Sequence, residues 1–290
     1  MNSHRLSPYS IGQFSSRNWL QEGDGLFASS RKARENWEDH RCQFSKTVAD
    51  EGGLQFPERA DDMALLTGLP RASMLLLGYA AEMYLKAGIA RAYMGCAESM
   101  FSRDIRKRFS HDFLLMAKEL CFPLSQTDRE NLKRLKEMVL VDARYPVGVE
   151  ENDTFASAVN EQTSRIWSKD SYDELSDLVK RIKKHSILID NDESNPSFRC
   201  AFSIDQDGYL AFRAGGHLPS RITYKISSDM RANSEKTTVS DIKALLHPED
   251  ARVTRILHYW DQSFIYEDGH MKQNGNLETK CHGRPASANG

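Results

Sequence analysis

No P-loop, dinucleotide fingerprint, nucleophile elbow or paired-carboxylate motif occurs in these 290 residues, so nothing points to a nucleotide hydrolase, a dinucleotide enzyme or an α/β-hydrolase. Cysteine is scarce and scattered. Cys42, Cys96, Cys121, Cys200 and Cys281 are odd in number and never form C-x-x-C, which argues against a zinc ribbon or a disulfide framework and fits a reducing cytoplasm. Charge of one sign is also missing: the net charge is -2 and the pI about 6.5. The whole molecule therefore exerts no pull on nucleic acid, and any RNA site has to come from a local cluster. No repeat of fixed period appears, which excludes solenoids and propellers. The longest apolar stretch, Ala72 to Ala90, is broken by Glu82 and Lys86 and reads as a buried core helix too polar to span a bilayer. The first residues lack the basic start and apolar centre of a signal peptide, so a cytoplasmic protein without a membrane partner is expected.

What is present is the composition of a globular chain, 40% hydrophobic and 28% charged. Trp19, Leu26, Phe27, Ala33 and Trp37 fall near one face of a helix from Ser16 to about Trp37, weakened in its middle by Gly23 and Gly25. Val48 to Asp62, with Gly52-Gly53 and Pro57, reads as a long connection. From Pro70 to Tyr93, Met74, Leu77, Ala81, Leu85 and Ile89 recur at three- and four-residue steps, and Pro70 suits a first turn. Asp112 to Leu120 forms a short helix stopped by Pro123. Thr127-Asp128-Arg129-Glu130 matches a capping box ahead of a helix through Leu132, Leu135, Met138 and Val139. Phe155 to Trp167 is less regular. Ser171-Tyr172-Asp173-Glu174 repeats the capping pattern before an amphipathic helix to Leu188.

After Asp190-Asn191-Asp192-Glu193, a linker by composition, the period changes to two. Phe198 to Ile204, Tyr209 to Arg213 and Ile222 to Ile226 alternate as strands around an Asp207-Gly208 turn. Helices over Ser240–Leu246 and Pro248–Trp260 complete a small α+β appendage, with one helix covering one face of a three-stranded sheet. The expected division is a helical bundle with an N-terminal extension over 1–190, an α+β domain over 191–267 and a disordered tail over 268–290.

The helix LLLGYAAEMYLKAGIARAY, then SHDFLLMAKEL, then LKRLKEMVLVDARYPV resembles HEPN domains in order and spacing. The shared features are Glu82 and Lys86 four apart, His111-Asp112 before a short leucine-rich helix, and Arg144-Tyr145-Pro146 near the end of the next helix. The resemblance spans roughly Ser16 to Leu188 and implies a mainly α protein, an up-and-down helical bundle with the α+β part appended. It further implies a homodimer of a bacterial defence or toxin–antitoxin system, with an antitoxin or defence protein as partner. Active members cleave RNA without metal, through an arginine followed four to six residues later by histidine.

One such pair is present, in Arg106-Lys107-Arg108-Phe109-Ser110-His111. Metal-free cleavage needs a group that moves the 2′-hydroxyl proton and a cation that stabilises the attacked phosphate, the roles open to His111 and Arg106. On a continuous helix, however, side chains five residues apart point roughly 140° apart, so a helix end or a dimer seam has to bring them together. Lys107, Arg108, Arg144, Glu82 and Lys86 are the candidates for holding a phosphate, RNA or a nucleotide. Each also has a structural reading. His111 or Asp112 caps the short helix, while Arg103, Arg106, Lys107 and Arg108 form a solvated loop. Glu82 and Lys86 are a partly buried ion pair, and Arg144 ties Asp142 or Glu82. The basic face Lys180 to Lys184 is a solvated helix surface. Tyr209, Phe212, Arg213 and Tyr224 are either a stacking platform for single-stranded RNA or sheet core. His270, Cys281 and His282 have no ligand spacing, so no metal or cofactor is expected. The competing function is a non-catalytic dimeric interaction module.

Overall fold

The computed structural model describes residues 4–50, 59–142, 154–204, 206–233, 239–268 and 270–274. Helices α1 (Ser16–Asp50), α2 (Ala60–Ala92), α3 (Glu98–Asp104), α4 (Phe113–Glu119), α5 (Gln126–Glu137), α6 (Phe155–Trp167) and α7 (Lys169–Leu188) precede strands β1 (Phe198–Ile204), β2 (Gly208–Gly215) and β3 (Leu218–Lys225). Three short helices follow, α8 (Ser228–Asn233), α9 (Val239–Ala244) and α10 (Ala251–Tyr259), and then β4 (Phe264–Glu267) and β5 (His270–Asn274). The chain forms two compact units, one of residues 1–19, 85–123 and 184–290, the other of 20–84 and 124–183. The expected boundary near residue 190 is therefore replaced by an interleaved one, in which α1, α2 and α7 contribute residues to both units.

The second unit is a helical bundle. Small residues set its close approaches: Ser30 on α1 donates to the Ser73 carbonyl of α2 at 2.7 Å and meets Tyr172 of α7 at 2.9 Å. Trp37 donates to the Leu66 carbonyl at 3.0 Å and packs edge-on to Trp167. The buried Arg34 caps the end of α6 by donating to the carbonyls of Ile166 and Trp167 at 2.9 and 2.8 Å, satisfying groups a helix end leaves free. Of the described helices, α2 alone is long and apolar enough to cross a membrane, so Glu82 and Lys86 do not make it too polar. What marks it as a core helix is the burial of Met74, Leu77, Ala81, Tyr84, Leu85 and Ile89 inside the protein. Pro70 lies inside α2 and not in its first turn. The capping box of α5 uses Ser125 and Asp128, two residues before the expected threonine. Residues 155–167 are a regular helix behind a Thr154 cap, and α7 begins at Lys169, with Ser168 accepting from the Ser171 amide.

In the first unit the sheet has five strands in the order β1-β2-β3-β4-β5, two more than expected. Antiparallel hairpins join β1 to β2 and β2 to β3, whereas β3 and β4 run parallel. A parallel pair requires a crossover, supplied by the stretch carrying α8 to α10, which lays Ile242, Ile256 and Trp260 against Leu210, Phe212, Ile222 and Tyr224. The opposite face is covered too. Tyr209 contacts the Met100 sulfur at 3.4 Å, and a side chain at Gly95 would meet Ala211 and Ala201 at 3.3 and 3.5 Å. All but the last residue of β2 is buried, so the expectation of one covered face is corrected to two. The stretch expected to be disordered from 268 begins with β5, paired antiparallel with β4. Asp190 and Asp192, expected in a linker, are bound to Arg213 and His217. Cys121 is disulfide-bonded, against the expectation of no disulfide, while Cys42, Cys96 and Cys200 are free thiols.

Candidate functional site

The arginine-rich segment lies between α3 and α4 in the first unit. It is not a loop. Residues Ile105–Phe109 form a π turn closed by the Ser110 amide donating to the Ile105 carbonyl at 3.0 Å. The chain then reverses at Ser110, whose φ of 35° is unusual for a residue with a side chain. Asp112 caps α4 by accepting from the Leu115 amide at 3.0 Å, one of the two capping assignments open to His111-Asp112. The helix therefore ends between Arg106 and His111, and the turn at Ser110, not helical rotation, sets their relation.

The four cations of this segment divide into two pairs. Arg103 donates to Asp104 at 3.1 Å and Asp268 at 3.0 Å. Arg108 turns inward to Glu119 at 2.7 Å and to the Tyr93 hydroxyl at 3.2 Å. Arg106 and Lys107 are exposed, and neither has an ion pair among the described residues. His111 is half-buried. The segment is thus part anchor and part free surface. This corrects the solvated-loop reading for Arg103 and Arg108, and it leaves Arg108 with its donors already engaged inside the protein.

Beneath the anchor is an ionic network that the sequence reading did not foresee. Glu119 of α4, 5% exposed, accepts from Arg108 and from Arg221 of β3, each at 2.7 Å, and from the Tyr266 hydroxyl at 3.1 Å. The Arg221 guanidinium is sandwiched 4.2 Å from the Tyr93 ring centre and 3.8 Å from that of Tyr266, a desolvated cation–π arrangement. Tyr93 passes the network on by donating to Asp104 at 2.7 Å, and Tyr209 donates to Asp268 at 3.1 Å. Burial is the largest influence on Arg108 and opposes its charge, but Glu119, Tyr93 and Tyr266 together more than offset it and hold the guanidinium above its ordinary value. Burial pushes the neighbouring Cys96 thiol up to about 11, which keeps it protonated and unreactive at neutral pH.

The remaining candidates are dispersed. Glu82 is 2% exposed and belongs to the second unit. Lys86, one turn further along α2, belongs to the first and stands 5.4 Å from the Trp19 ring. Arg144, with Tyr145 and Pro146, lies outside the described residues. A second π turn, Met138–Asp142, leads directly to that motif. Most cations of the basic face on α7 have partners: Lys180 with Asp177, Arg181 with Asp128, Lys183 with Asp24. Tyr209, Phe212, Arg213 and Tyr224 are buried, which leaves no stacking platform there. Among the described residues no group of three metal-ligating side chains is found.

Comparisons with protein-family models, with curated proteins and with solved structures find no match for this chain.

Proposed function

We propose that this chain is a HEPN-type protein of a bacterial defence or toxin–antitoxin system that binds RNA or a nucleotide through Arg106, Lys107 and His111. The chemistry assigned to that surface is metal-independent cleavage of RNA. The observation that carries the reading is the π turn at Ile105–Phe109 followed by the left-handed Ser110. π turns are rare and gather at functional sites, and strained backbone persists where the surroundings impose it. Here Arg103 and Arg108 pin the turn from below, while Arg106 and Lys107 are held out to solvent. In the proposed reaction His111 takes the 2′-hydroxyl proton as the 2′-oxygen bonds to phosphorus, Arg106 steadies the charge on the attacked phosphate, and the 5′-oxygen leaves with a proton from water, giving a 2′,3′-cyclic phosphate. The family assignment rests on the order of the sequence motifs, which is analogy. Homodimerisation and an antitoxin or defence partner follow from the same analogy.

A specific observation favours the second reading, a non-catalytic interaction module. Arg108 and Glu82, both expected at a phosphate, are drawn into the protein. Cleavage of end-labelled RNA under chelation separates the two, comparing wild type with His111→Ala and with Arg106→Ala/Lys107→Ala. The nuclease reading expects loss of cleavage in both variants. Equal cleavage by wild type and His111→Ala, or none by either, removes His111 from catalysis, and RNA binding without cleavage then leaves the interaction module.

A further inference from the structure

On the sheet face away from α9 and α10, Arg213 of β2 and Arg221 of β3 stand directly opposite one another. Like charges at directly opposed positions destabilise a sheet, and the penalty grows when water is excluded. Arg213 is 2% exposed and Arg221 6%. Each retains one buried N–H without an acceptor among the described residues, Nε on Arg213 and Nη2 on Arg221. Both side chains line one small pocket, with Ala92, Glu119, Pro219 and Tyr266 around it. The space in it open to the centre of a water-sized sphere is about 10 Å³, enough for one water or one monatomic ion.

The charges around the pocket do not balance. Arg108 and Arg221 share Glu119, Arg199 and Arg213 share Asp190, and Arg103 pairs with Asp104 and Asp268. With Arg91, whose charge acts on Asp190 and Arg199, the guanidinium ions outnumber the carboxylates of this cluster, leaving positive charge in excess. Glu119 also borders the pocket, but its oxygens are taken up by Arg108, Arg221 and Tyr266; burial opposes the charge of Arg221, yet Tyr93, Tyr266 and Glu119 hold it firmly charged. Burial lowers the readiness of Arg213 to hold its proton, and Asp190 opposes that shift.

We propose that this pocket binds a single small monovalent anion of chloride size, held by the free donors of Arg213 and Arg221. One such ion would satisfy both orphaned donors and reduce the excess charge. Phosphate, sulfate and carboxylate metabolites exceed the volume available. The site is independent of the RNA-binding surface proposed above.

The test is urea unfolding of the full-length protein at constant ionic strength, with sodium chloride exchanged stepwise for sodium gluconate, whose anion is too large to enter. The expected result is a rise in the folded-to-unfolded ratio with chloride, about 100-fold at a chloride concentration one hundred times Kd. Bromide should reproduce the effect and sulfate should not. Arg221→Met strips Glu119 of a partner and endangers folding by itself, so Ala92→Val, which fills the pocket, serves as the variant that loses the chloride response while remaining folded. In crystals grown with bromide, an anomalous peak should lie beside Arg221 Nη2. Absence of a chloride effect on wild type, an equal effect on Ala92→Val, or a water in place of bromide would each overturn the proposal.

Discussion

Replacing Glu119 by glutamine keeps its shape and removes its charge, which isolates what the buried carboxylate contributes. Among the described residues Glu119 is the one acceptor shared by Arg108 and Arg221, both at 2.7 Å, and its side chain is 2% exposed. Removing one partner of a buried ion pair costs about 3–5 kcal/mol, because the charge left behind stays desolvated. Two guanidinium groups are left behind here, and one amide nitrogen would turn a donor toward a donor. We expect a loss of about 4 kcal/mol, on the order of a thousandfold in the folded-to-unfolded ratio. That is a large share of the roughly 5–15 kcal/mol a domain possesses. Urea unfolding followed by circular dichroism should show a lower midpoint at unchanged slope. The triple replacement Arg108→Met/Glu119→Leu/Arg221→Met buries no charge at these positions and should cost less than Glu119→Gln alone. A Glu119→Gln protein within about 1 kcal/mol of wild type would refute the reasoning, as would a triple variant less stable than the single one.

Three other outcomes follow from local geometry. A Cβ at Gly23 would sit 2.6 Å from a ring carbon of Tyr84, whereas one at Gly25 meets nothing within 4 Å. Gly23→Ala should therefore destabilise by about 1–3 kcal/mol, and Gly25→Ala, two residues away on the same helix, should stabilise by about 0.5–1 kcal/mol, both read from thermal unfolding. Hydrogen bonding from Arg181 leads the forces that hold the Asp128 carboxyl down at about 2. A depressed carboxylate stabilises above its unfolded pKa near 4 and loses that contribution as pH falls toward 2. Because Arg181 is half exposed, the pair should supply about 1 kcal/mol at pH 7, and the stability gap between wild type and Asp128→Ala should narrow by that amount across this window. With an Ellman-type thiol reagent at pH 8, the exposed Cys42 should react at once, and Cys96, held up at about 11 by burial, only on unfolding.

The elements with a clear period were the ones open to reading. The three- and four-residue steps of Met74, Leu77, Ala81 and Leu85 mark α2, and the alternation of Phe198, Cys200, Phe202 and Ile204 marks β1, whose residues alternate between half-buried and exposed. Boundaries failed where one local signal stood in for tertiary packing. Pro70 is carried inside α2, and aspartate substitutes for glutamate in the Ser125 capping box. In the C-terminal sheet, alternating polar residues suggested a solvent face, yet Arg213, Arg221 and Thr223 are buried. Burial of both faces has no period-two signature, and an arginine bound for a buried carboxylate looks in sequence like one bound for water. Among the candidate site residues, the i and i+5 spacing of Arg106 and His111 was visible, but neither the π turn between them nor the partners of Arg108 could be. Those partners are Tyr93, Glu119 of α4 and, on a strand more than a hundred residues away, Tyr266.

The salt dependence of RNA binding tests most directly whether Arg106 and Lys107 face a phosphate backbone. For single-stranded RNA, log Kobs against log salt should fall with a slope of about -0.7 for each phosphate neutralised, so Arg106→Ala/Lys107→Ala should bind more weakly and with a slope shallower by about 1.4. The same affinity and slope in wild type and variant would show that this surface does not touch RNA.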